Sequence, residues 1–396
     1  MSPDNADIQA IINGLTDLQK ETEVKRLLDE ALQEPISTEE RLRFVEQILE
    51  SFKGMGLLGR DEAGDLQLLR AVAQTYERFS HLDKAYESYE AALALSERLD
   101  DQSTRALVLC RMGRVLSRWG RWDEACAHLD RSRRAFEGLE DRAGLARVAL
   151  SLGIVRHEQA DYAAAAAAYG EAREHAEAAG NRKLAADAGN NLAVLATIRG
   201  DLDEAVRQYE ACLAIFQELG DEMGQARTQH NLGMTHSDRQ DWASAMDCFE
   251  KGFKQAQAQG QIDVMANIHL GTAEVLLELG GTTMALCYCS RALDIYRQVG
   301  DRMGEADTYR LLGKGFARNR EWAKAESMLR HSLEINESGD NPLGAAEALR
   351  EIGRMHLVRG KRQEARTSLE AALATFKKLG AEGDAADVEG IIGSLE

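Results

Sequence analysis

The stretch LGMTHSDRQDWASAMDCFEKGFKQAQAQGQ (232–261) decides the fold, because its pattern returns along the chain. MGRVLSRWGRWDEA (112–125), LAVLATIRGDLDEA (192–205), LGKGFARNREWAKA (312–325) and IGRMHLVRGKRQEA (352–365) align with its first half at a spacing of 40 residues without insertion or deletion. Alanine recurs at 85, 125, 165, 205, 245, 285, 325 and 365. A second alanine ladder runs through 106, 146, 186, 226, 266, 306, 346 and 386. A third small-residue position reads Ala73, Gly113, Gly153, Ala193, Gly233, Ala273, Gly313 and Gly353, with Gly393 one period on. Fixed-period self-similarity of this kind marks a repeat architecture.

One period reads as two helices. Ala226, Leu232, Gly233 and His236 share a helical face over 224–239, Gln240-Asp241 interrupts it, and Trp242, Ala245, Met246, Phe249 and Phe253 define a second helix over 242–259. Connectors such as Gly220-Asp221, Gly260-Gln261 and Gly300-Asp301 place a glycine where a helix ends left-handed. The Asp that follows in two of them suits an N-cap. Asp161, Asp201 and Asp241 hold the cap position before the second helix, and Glu204 completes a capping-box spacing with Asp201. Ala and Gly ladders let two helix backbones approach closely while larger side chains fill the groove beside them.

Leu232-Gly233 and Leu312-Gly313 in the first helix, the 85-to-365 alanine ladder in the second, the aromatics Tyr89, Tyr169, Tyr209 and Phe249 four residues later, and the small residues Ala92, Ala172, Ala292 and Ala372 resemble the tetratricopeptide repeat family in a variant of about 40 residues. The resemblance covers roughly residues 64–396. It implies an all-α, right-handed solenoid: eight repeats over 64–380, a capping helix at 381–396 with Ala386, Ile392 and Gly393 in register, and a helical module at 1–60 that breaks the ladders. That module reads as an N-terminal cap or as a separate effector or dimerisation element.

Composition narrows the function. Three prolines, where average usage would give about twenty, suit long helices. A formal charge of −18 argues against nucleic acid and anionic membrane surfaces as partners. No apolar run approaches the ~18 residues of a membrane span. The N-terminus lacks a basic and then apolar leader, the six cysteines form no CxxC pair, and Arg outnumbers Lys about threefold. A cytoplasmic, bacterial protein with reduced thiols is the expectation.

No nucleotide-loop, nucleophile-elbow or zinc-helix motif is present, so a non-enzymatic protein without cofactor or metal is expected. His236 reads as a core-edge residue, His230 and His269 as surface contacts. Function then falls to the concave face, which the family forms from its first helices. Residues three before, two before, one after and five after the ladder position share one helical face. They include Asn190 and Asn191, then His230 and Asn231, then Arg310, Lys314 and Arg318, then Arg350 and Arg354, with Arg227 and Asn267 on neighbouring turns. Arg111, Arg114, Arg118 and Arg147 make another basic group.

Asn191 and Asn231 are one period apart, and each amide offers a donor and an acceptor. The resemblance implies that such asparagines hydrogen-bond the main chain of an extended peptide. Arg310, Lys314, Arg318, Arg350 and Arg354 stand against Glu351 and Asp307, which points either to an acidic or carboxylate-bearing peptide or to an internal salt-bridge network. The Lys and Asn set with which co-chaperones of the family hold a C-terminal carboxylate is missing: Leu150 and Ile154 stand where its first helix needs Lys and Asn. A binding scaffold for an extended or helical protein segment is the first reading. A peptide-responsive sensor acting through the N-terminal helices is the alternative, and self-association through stacked solenoid ends is a further expectation.

Overall fold

The structure, a computed structural model, describes residues 62–78, 81–339 and 341–395. The 1–60 module lies outside the described residues, so the cap and effector readings of it stay open. The described residues form seventeen α-helices and no strand. The first helices of successive repeats are α1 (Glu62–Arg78), α3 (Gln102–Arg118), α5 (Arg142–Glu158), α7 (Arg182–Arg199), α9 (Glu222–Asp238), α11 (Ile262–Glu278), α13 (Arg302–Arg318), α15 (Pro342–Val358) and α17 (Glu382–Gly393). Their second helices are α2 (Leu82–Arg98), α4 (Trp122–Gly138), α6 (Tyr162–Ala178), α8 (Leu202–Glu218), α10 (Trp242–Ala258), α12 (Thr282–Val299), α14 (Trp322–Ser338) and α16 (Arg362–Leu379). The described residues divide into two compact units that end at and begin after residue 151, inside α5.

The ladders are the points of closest helix approach. Every alanine of the 85-to-365 ladder is fully buried. A Cβ added to Gly233 would come within 2.6 Å of the Phe249 ring, and one added to Gly313 within 2.5 Å of Leu329. Core layers run between neighbouring helices: Ala226 of α9, Ala245, Phe249 and Ala256 of α10, and Val264, Ile268 and Val275 of α11 form one cluster. A lone helix pair leaves one side of its second helix bare, so each repeat needs its neighbour.

α17 departs from the expected register. Ala386 is exposed, while Ala385 and Val388 are buried. Among the described residues no second helix packs on the Ala386 side, and α17 buries instead the face that meets α16. The six cysteines form no disulfide, and Cys287 is exposed while Cys289 is buried, as i and i+2 on a helix require.

Caps follow the sequence with two exceptions. The Asp161 and Asp241 carboxylates accept from the amides of Ala164 and Ser244, at 3.0 and 3.2 Å. Asp201 caps nothing, and Glu204, the other half of the expected capping box, binds Arg207 and Gln208 instead. Gln261 also makes no capping bond. Asp241→Ala should therefore cost about 1 kcal/mol in urea unfolding, and Asp201→Ala only a few tenths.

Candidate functional site

In the second unit the first helices pack side by side as α7–α9–α11–α13–α15, and α17 returns to touch α7. Arg350 of α15 pairs with Asp384 of α17, and Arg354 with Asp387 at 2.6 Å, which completes a ring of six first helices.

The five expected cations all lie on this ring, and each is already engaged. Lys314 and Arg318 share Glu278, at 2.7 and 2.8 Å. Arg310 reaches Glu347 at 3.2 Å and Asp307 at 3.7 Å. Arg354 meets Glu351 at 2.8 Å, and Arg350 lies 3.7 Å from the same carboxylate, with its guanidinium 5.5 Å over the Phe376 ring. Arg227 pairs with Asp187 at 2.9 Å.

The salt-bridge network anticipated as an alternative is therefore present, and it holds more carboxylates than Glu351 and Asp307. Counting Asp238 and Glu274 with the paired groups, nine carboxylates meet six cations. Burial works against the charge of Arg310, yet Glu347 and Asp307 outweigh it and hold the guanidinium charged. Burial likewise acts against Glu278 and Glu351, but the surrounding cations keep both carboxyls below the usual carboxylate range.

Asp238, at the end of α9, has no ion-pair partner among the described residues. Asp238 is exposed at the helix end, but the protein around it limits its hydration, and this together with Glu274, Asp384 and Glu347, against Arg350, pushes its carboxyl up to about 7. Burial also raises Asp307, with Arg310 acting against it and Glu347 adding to it. The sequence carried a signal for much of this set. The position six before each ladder residue reads Asp187, Arg227, Asn267, Asp307, Glu347 and Asp387, a polar stripe beside the one first considered.

The asparagines divide. Asn191 is half-buried and binds no side chain, so its amide is available. The Asn231 carbonyl oxygen lies 3.0 Å from His230 Nδ1. Asn267 accepts the Tyr296 hydroxyl and is held in place by it. Asn190 is 9% exposed, and its Oδ1 has no hydrogen-bond partner. Burial lowers the His230 pKa, which favours neutral imidazole. His269 corrects its surface reading: it is buried between Phe253 and Tyr288, with ring centroids 5.0 and 5.3 Å away. No His, Cys, Asp or Glu cluster among the described residues could hold a metal ion.

Beside the network lies a cavity of about 740 Å³. Trp242, Ala317, Leu329, Met355 and Val358 give it apolar walls, and Glu278, Lys314, Arg318, Arg320, Glu351 and Arg354 a charged rim. Val358 is 71% exposed there. Such a mix suits an apolar side chain on a polar backbone. The cavity joins helices three repeats apart, which no single period reveals.

In the first unit, Arg111 and Arg114 face the buried Glu77 at 3.6 and 3.3 Å. Tyr89 donates to the same carboxylate at 2.9 Å, and Arg118 donates to the Glu77 carbonyl at 2.8 Å.

The tetratricopeptide repeat profile matches residues 104–178, 184–258 and 264–338. The chain belongs to the tetratricopeptide repeat family. No curated protein matches it in sequence. Among solved structures it is similar to a Rap protein complexed with competence and sporulation factor (TM-score 0.59, 12% identity, 84% of this chain and 97% of that one). It is also similar to the Rap conjugation gene regulator of plasmid pLS20 in complex with the Phr* peptide (0.57, 13%, 93% and 92%). Aspartyl phosphate phosphatase F from Bacillus subtilis is a third (0.56, 10%, 95% and 95%). At these identities the likeness shows a shared helical-repeat fold. No helix of the described residues is long and apolar enough to cross a membrane.

Proposed function

We propose that the chain is a non-catalytic peptide-binding protein whose second unit takes an extended segment of a partner against the first-helix ring. One observation carries this reading: a cavity of about 740 Å³ with apolar walls and a rim of fixed charges opens on the ring, whose α7 carries Asn191. Charged side chains held by ion pairs lose little entropy when a ligand meets them, so the ring is preorganised. Asn191, with Asn231 one period on, supplies amides for a peptide main chain.

One Rap neighbour, a conjugation gene regulator by name, was solved with the Phr* peptide and another with competence and sporulation factor. That favours the sensor form of this function, in which peptide binding changes what residues 1–60 do. The phosphatase neighbour keeps a catalytic reading in view, but the residues on the ring suggest no reaction of their own.

Asn191→Ala combined with Asn231→Ala should weaken peptide binding in calorimetry by about tenfold, the loss of one or two hydrogen bonds. Unchanged affinity would remove the asparagines from the site. Deleting residues 1–60 separates scaffold from sensor. A scaffold keeps its partner in pull-downs, whereas a sensor keeps its peptide and loses its downstream effect.

A further inference from the structure

Peptide binding alone leaves the chemistry of the ligand open, and two corners of the fold narrow it. Each repeat passes from its first helix to its second through a residue with left-handed backbone. Glycine fills that corner at 120, 200, 280 and 360. Gln240 and Arg320 fill it with long side chains, at φ of 61° and 60°, where a Cβ crowds the backbone. Ala160, the other described corner without glycine, carries only a methyl group. Both long side chains line the cavity. Backbone strain of this kind gathers at sites that bind something.

The charges of the cavity wall are a second, independent observation. The wall holds four cations, Lys314, Arg318, Arg320 and Arg354, and two carboxylates, Glu278 and Glu351. Glu278 is held by Lys314 and Arg318, and Glu351 by Arg354 with Arg350 beside it. Arg320 stands outside that network. Its guanidinium has neither an ion pair nor a hydrogen bond among the described residues, and the Gln240 amide has no hydrogen bond there either. A ligand carboxylate can therefore meet Arg320 without breaking an existing pair, and no orphaned charge is left behind. Val358 adds an apolar contact: it is 71% exposed at a position that holds Asp238, Glu278 and Arg318 in the three preceding repeats.

Resting on the peptide-binding reading, we propose that the cavity selects a peptide segment with a carboxylate side chain, bound by Arg320, next to an apolar side chain seated against Trp242 and Val358, with the Gln240 amide meeting the peptide main chain. The cations that the sequence suggested for this task, Lys314, Arg318 and Arg354, serve as the fixed wall behind it.

The test is an array of random decapeptides probed with the labelled full chain, followed by calorimetry on the best binder. Bound sequences should be rich in Asp and Glu, each with an apolar neighbour. Arg320→Gly should weaken the best binder about tenfold, the loss of a hydrogen bond to a charged group. The same change should raise the melting temperature slightly, because glycine adopts the left-handed corner without crowding. Gln240→Gly should move both quantities in the same directions, and Val358→Ser should erase the preference for an apolar neighbour. Affinity lost while stability is gained separates a ligand contact from a structural prop.

Bound peptides enriched in Lys and Arg, peptides with no charge bias, or an affinity indifferent to Arg320→Gly would overturn the carboxylate preference and leave peptide binding standing. A variant that lost stability along with affinity would overturn it too, since Arg320 would then be holding the corner. An array on which nothing binds would overturn peptide binding itself, and the preference with it.

Discussion

Phe249→Ala should cost about 3–5 kcal/mol, the usual loss for a buried aromatic ring. The ring is 1% exposed and sits between two glycines on successive first helices. A Cβ at Gly233 or at Gly271 would each come within 2.6 Å of it. Phe249 of α10 therefore fills the groove where α9 and α11 come together, and its removal strips packing from both. Gly233→Ala attacks the same contact from the other side and should cost about 1–3 kcal/mol through overpacking. The two changes are coupled. With the ring gone, the added methyl has space, so the double variant should be more stable than the sum of the single losses allows. Urea unfolding gives the energies, and amide exchange across α9–α11 locates them, since a repeat array can open locally. Strict additivity would mean that the ladder glycine is not there to admit the ring.

Glu351→Gln should cost about 3 kcal/mol at neutral pH. The carboxylate is 5% exposed and is approached by both Arg350 and Arg354. Glutamine withdraws a close carboxylate from both guanidiniums and leaves a buried amide in its place, and Asp384 and Asp387 meet those cations from α17 without replacing it. The pH dependence gives a second check. Burial opposes the Glu351 charge, but Lys314, Arg354, Arg350 and Arg310 overcome that and hold its carboxyl below the ordinary range. A carboxyl depressed on folding contributes its full stability above the unfolded value of about 4.3 and loses it as pH falls through the folded value. The gap between wild type and variant should thus be widest at pH 7 and narrow below about pH 4 in thermal melts. A gap that widened in acid would mean that Glu351 is not ionised in the native state.

These two residues mark how far the sequence could be read. Phe249 and Gly233 were visible in it because they repeat. Helix, cap and ladder depend on neighbours within one or two turns or one period away, and 40-residue spacing puts that whole environment into the sequence. Where the local rule failed, a nearer competitor had won, as when Arg207 and Gln208 took Glu204 from its capping box. The last helix failed for a different reason. Ala386 keeps the ladder spacing but is exposed, with no helix against it among the described residues as its counterparts have.

Glu351 and its neighbours were visible as residues but not as a site. The sequence alone determined that this chain is a tetratricopeptide array, which helices face inward and which side chains they carry. Only the tertiary structure decided the electrical character of that inner face. Arg350 and Arg354 look like a receptor for anions until α17 brings Asp384 and Asp387 onto them. Lys314 and Arg318 look the same until α11 presents Glu278. Repeat spacing fixes which side of a helix a charge occupies. Whether that charge is spent depends on a few ångströms between helices, and those distances appear only when the first helices close into a ring.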